Sequence, residues 1–81
     1  SNLCGAQNKY AVSVKDEKGF PLSGVSVKRA NLPSRGTTDA AGNYFFEADG
    51  DSLLLSFSSI GYITVTAIEK PDMVLHVTLI G

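Results

Sequence analysis

The sequence predicts an all-β fold, a seven-stranded antiparallel sandwich. Three observations carry that expectation. Apolar residues recur with a period of two rather than 3.6. Seven short segments rich in β-branched and aromatic residues carry this alternation. Glycine, proline, aspartate and asparagine clusters separate them at roughly ten-residue spacing, the rhythm of a sandwich.

The segments follow in order. "YAVSVK" sets Tyr10, Val12 and Val14 against Ala11, Ser13 and Lys15. "GVSVKR" repeats the pattern with Val25 and Val27. "RGTTD" is a short polar segment. "NYFFEA" places Tyr44 and Phe46 on one face and Phe45 on the other. "SLLLSFS" groups Leu53, Leu55 and Phe57. "GYITVTAI" alternates Tyr62, Thr64 and Thr66 with Ile63, Val65 and Ala67. "MVLHVTLI" aligns Met73, Leu75, Val77 and Leu79. The expected core is Val12, Val14, Val25, Val27, Tyr44, Phe46, Leu55, Phe57, Val77 and Leu79. Between the segments stand "DEKGFPLSG", "NLPSRG", "DAAGN", "ADGDS", "SIG" and "EKPD". No ten-residue stretch shows a helical period free of Gly or Pro.

The chain has 81 residues, enough for one domain with a thin stability margin. Hydrophobic residues make up 43% and charged residues 19%, with a net charge of −1, which suits a globular core. The seven Lys and Arg are scattered, so no nucleic-acid partner is expected. The longest apolar run, Leu53 to Leu55, is far too short to span a membrane. The one cysteine, Cys4, can form no internal disulfide. Residues 1–8 read as a flexible N-terminus, and residues 9–81 as the domain. Cys4 and Ala6 fit the end of a signal peptide, a lipid-modified cysteine or an ordinary terminus, and Ser1-Asn2 a cloning scar.

The spacing D-x-x-G occurs twice, as Asp16–Gly19 and Asp39–Gly42. Aspartate first and glycine fourth is the preference of a type I turn. The carboxylate accepts amide hydrogens two residues on, and the glycine takes positive φ so the next strand leaves in register. Calcium would need oxygen ligands alternating through one loop, and neither unit supplies them, even with Asp49 and Asp51 in "DGD". Structural turns are therefore expected, and no metal or other cofactor.

His76 is out of phase with Leu75 and Val77, so it is expected at the surface or on an edge. It has no evident partner for acid–base work, and one His with one remote Cys makes no zinc site. Ser56, Ser58 and Ser59 lack a nucleophile elbow. Phe20 is expected as a loop anchor packed on the sandwich end, with a sugar or partner contact as the other reading. No catalytic, cofactor-binding or metal-binding residue is nominated, and no enzyme is expected.

Four ordered blocks resemble the carboxypeptidase-regulatory-like domain. The first is Asp16, Gly19, Pro21, Leu22, Gly24, Val25 and Val27. The second is Gly36, Thr37, Asp39, Gly42 and Tyr44, one residue tighter than the family pattern between Gly-Thr and Asp. The third is Leu55, Phe57, Ser58, Ile60, Gly61 and Tyr62, and the fourth Val77 and Leu79. The blocks cover residues 10–80. They are specific to the family and less so to any one function.

The resemblance implies a transthyretin-like (prealbumin-like, Ig-like) sandwich. It also implies a setting: the N-terminal periplasmic extension of a SusC/RagA-type TonB-dependent outer-membrane transporter in a Gram-negative envelope. Its partners would be the rest of the transporter, the TonB machinery or a surface lipoprotein. A TonB-box-like segment would then follow Gly81. The alternative is an accessory spacer or glycan-contact domain of a surface or secreted hydrolase or adhesin. A hydroxyisourate-hydrolase-type enzyme would need more than one histidine and a Tyr-Arg-Gly-Ser-like end, whereas this sequence has one His and ends "TLIG".

Overall fold

A computed structural model describes residues 7–30 and 35–81. Residues 1–6, including Cys4, and most of the "NLPSRG" connection lie outside the described residues. The described residues form seven strands: β1 (Asn8–Asp16), β2 (Ser26–Arg29), β3 (Arg35–Thr37), β4 (Asn43–Ala48), β5 (Leu53–Ser58), β6 (Val65–Glu69) and β7 (Val74–Leu79). They form two sheets, one ordered β4-β1-β7 and the other β3-β2-β5-β6.

The pairing corrects the antiparallel expectation at one seam. β1 and β7 run parallel, from Ala11↔Val74 to Asp16↔Leu79, while every other strand pair is antiparallel. A tight turn forces neighbouring strands to be antiparallel, but a parallel pair needs only a long crossover. β1 and β7 are the first and last strands, and the chain between them supplies that crossover.

Alternation places the core as expected at most positions. Val12, Val14, Val25, Val27, Leu55, Phe57, Val77 and Leu79 are buried, and Tyr10, Ala48 and Leu53 join them. Tyr44 and Phe46 are half-buried, packed against the core rather than within it. Met73 departs from its assigned face at 63% exposure, because it precedes β7 and lies in the turn. Ile63 is likewise exposed, and β6 begins only at Val65. The Ser59–Tyr62 turn delays it: the Tyr62 amide donates to the Ser59 carbonyl at 3.1 Å.

The two D-x-x-G units adopt one geometry. Asp39 Oδ1 accepts from the amides of Ala41 and Asn43 at 3.0 and 2.9 Å. Asp16 Oδ1 accepts from those of Lys18 and Phe20 at 2.9 and 3.0 Å. Gly42 and Gly19 both have positive φ, 81° and 87°. The turns also touch. The Val14 amide donates to the Gly42 carbonyl at 2.8 Å, and the Leu22 amide to the Val14 carbonyl at 3.0 Å.

Thr38 is a buried polar residue in the segment read as merely polar. Its Oγ1 accepts from the Val25 amide at 3.0 Å and donates to the Leu22 carbonyl at 2.6 Å. It locks the chain entering β2 to the chain leaving β3, and its buried oxygen is satisfied in both directions.

Candidate functional site

Two flanks close the sandwich where the sheet edges meet, and they are built differently. On the β3–β4 flank the rings of Tyr10, Phe46 and Tyr44 stack in sequence, each neighbouring pair 5.3 Å apart. Tyr10 and Phe46 are a cross-strand pair of β1 and β4. Tyr44 reaches across to β3, where a Cβ on Gly36 would fall 2.1 Å from its ring. The glycine thus leaves room for an aromatic lid.

The β6–β7 flank has no such lid. Glu69, the last residue of β6, turns inward and is 2% exposed. Its phase follows from Val65 and Ala67, which face the same way. Glu69 Oε2 accepts one bond, from the Ala11 amide of β1, at a long 3.3 Å. Oε1 has no hydrogen-bond partner among the described residues. Burial disfavours the charged form and raises the Glu69 pKa; the Ala11 and Leu75 amides oppose that shift. The Tyr10 hydroxyl is also pushed up, by burial first and then by Asp51 and Glu69. Beside Glu69 lies a groove of about 250 Å³ lined by Ile68, Lys70, Met73, Val74 and Leu75.

Among the described residues β7 is the edge of its sheet, so one side of its backbone has no strand partner there. Its residues Val74 to Leu79 include no Pro, Lys, Arg, Asp or Glu. The other edges differ: β4 carries Glu47, β3 has only three residues, and β6 ends on Glu69. Proline, charge and brevity are common guards of edge strands, and β7 has none of them. His76 lies exposed on this strand, in register with Ser13, as its phase predicted.

Phe20 corrects an expectation. It is 62% exposed and does not anchor the loop; Leu22 is the residue packed against the core. The cause is local, since both Phe20 backbone groups are committed to Asp16 while the side chain points away. Phe45 is also exposed, on the outer face of β4. Among the described residues, no three His, Cys, Asp or Glu side chains come together at metal-binding distance. No described helix is long and apolar enough to cross a membrane.

No protein-family profile matches the sequence, and no curated protein sequence is significantly similar to it.

Proposed function

We propose that this chain is a non-catalytic partner-contact domain that binds proteins through β7. The observation that carries the reading is that strand: a six-residue edge with no charge and no proline. An exposed edge can accept an extended segment from another protein, with backbone bonds supplying affinity and alternate side chains selectivity. Val74, His76 and Thr78 would meet the incoming strand on the solvent face.

The setting rests on the four-block resemblance. Asp16, Gly19, Asp39 and Gly42 of its blocks form the two like turns, and Val25, Val27, Leu55, Phe57, Val77 and Leu79 are buried in the core, which supports a transthyretin-like reading. Ile60 of its third block, by contrast, is exposed in a turn. On that reading the domain is the periplasmic N-terminal module of a SusC-type TonB-dependent transporter, in contact with the rest of the transporter, the TonB machinery or a surface lipoprotein. Exposed Phe20 and Phe45 favour one second reading, a glycan-contact domain of a surface hydrolase or adhesin, because aromatic faces stack on sugars.

The test is deletion of residues 9–81 from the full-length protein. The remainder is expected to fold and insert as an outer-membrane barrel, with impaired uptake or assembly. A full-length protein with no barrel would refute the transporter setting. Turnover of a peptide or glycoside by the isolated domain would refute the non-catalytic reading.

A further inference from the structure

We propose that Glu69 is a protonation latch on the β6–β7 flank: uncharged, it stays between the sheets; ionised, it leaves and the flank loosens.

The geometry argues for this in three steps. First, the carboxyl group is nearly sealed from solvent, yet its support is thin: a long bond from the Ala11 amide, a weaker approach by the Leu75 amide, and an Oε1 with no partner among the described residues. Each turn aspartate, by contrast, receives two amide bonds on a single oxygen. A buried carboxylate without compensation is unfavourable, and protonation or departure relieves it.

Second, among the described residues no cation pairs with the carboxylate, and Lys70 lines only the groove beside it. Ala11 and Leu75 approach with backbone amides, and Leu53 is the residue paired with Glu69 on β5. The titratable group facing it from β1 is Tyr10, whose hydroxyl also feels Asp51 and, in the opposite sense, Arg29. Lys70, next in the chain, is exposed. Lys9 and Asp72 meet through their backbones, the Asp72 amide donating to the Lys9 carbonyl at 2.9 Å.

Third, the flank has somewhere to move. The groove bordered by Ile68, Met73 and Val74 gives the side chain an exit. The turn that follows holds Asp72 at φ 62°, a left-handed conformation uncommon for a non-glycine residue. Among the described strands β6 pairs with β5 alone, so its displacement breaks one ladder.

The direction with pH follows from the raised pKa. A carboxyl group that ionises later in the folded than in the unfolded chain contributes most below its unfolded value, roughly 4.3. That contribution falls as pH rises and is gone above the folded value. The latch is therefore shut in mild acid and released as pH increases. It stands whether or not β7 takes a partner strand.

The experiment is a carboxyl-carbon NMR titration of the 81-residue chain, with amide exchange at Ala11 and Leu75 corrected for intrinsic rate. Glu69 is expected to titrate above the ordinary glutamate range. Corrected exchange at both amides should rise at least about tenfold through that midpoint. Glu69→Gln should remove this rise, together with the matching fall in the urea midpoint. The proposal is overturned if Glu69 titrates like an exposed glutamate, if the two amides ignore its titration, or if Glu69→Gln keeps the parent's pH dependence. If the variant does not fold, the parent's titration and amide exchange still decide.

Discussion

The two flanks of the sandwich solve one problem by different means. Both must seal the core where the edges of two sheets meet. The β3–β4 flank does it with three stacked rings, Tyr44 lying over Gly36 and the Tyr10 hydroxyl donating to the Gly50 carbonyl. The β6–β7 flank does it with a carboxyl group on one long bond, beside exposed Ile68, Met73 and Val74. The aromatic closure rests on ring contacts, and burial pushes the Tyr10 hydroxyl up, so it changes little from acid to neutral pH. Carboxyl closure depends on a proton. The first flank is built to stay shut, and the second is where the molecule can respond.

Four variants sharpen this contrast, the largest effect first. Phe57 is fully buried at the centre of the core both flanks enclose. Phe57→Ala should cost about 3–5 kcal/mol, measured by urea unfolding, a large share of a small domain's stability. A loss under about 1 kcal/mol would mean that the two sheets do not share one core.

Gly42→Val tests the turn that feeds β4. A side chain there meets two obstacles: a φ of 81°, and a Val14 carbonyl oxygen 2.5 Å from the new Cβ. The cost should be about 2–3 kcal/mol. An unchanged melting temperature would count against the turn geometry. Gly36→Val tests the aromatic lid itself. It must displace the Tyr44 ring and should cost about 1–2 kcal/mol, with loss of the ring-current shifts on Phe46. If those shifts persist, Tyr44 does not cover Gly36.

The smallest effect on stability belongs to the other flank. Val74→Lys with Thr78→Lys places charge on two exposed positions of β7. Stability should change by less than about 0.5 kcal/mol per site. If the proposed transporter setting holds, uptake or assembly by the full-length protein should fall to the extent expected for deletion of the domain. Normal function in the double variant would remove β7 as the contact strand.

Much of the first flank was legible in the sequence. Asp39 and Gly42 announce their turn because one needs an amide-accepting carboxylate and the other a positive φ. Tyr44 and Phe46 announce their shared face by alternation. The second flank was less legible. A period of two assigns faces but says nothing of strand direction, so the parallel β1–β7 seam could not be read from it. Glu69 opens the "EKPD" stretch, which reads as a connection, whereas it is the last residue of β6. The signal lay in its phase with Val65 and Ala67. Met73 fitted the apolar phase but precedes the strand, where the phase ceases to apply. Such local conflicts between residue type and position are where functional elements are sought.

Native-state hydrogen exchange resolved by residue tests the difference between the flanks most directly. The account predicts that Val14 and Leu22, hydrogen-bonded at the seam of the two turns, exchange only through global unfolding. Amides of β6 and the start of β7 should exchange through a smaller, separate opening, at least about tenfold more often, and that opening should become more frequent as Glu69 ionises. A single opening free energy across both flanks, unaffected by the ionisation of Glu69, would contradict it.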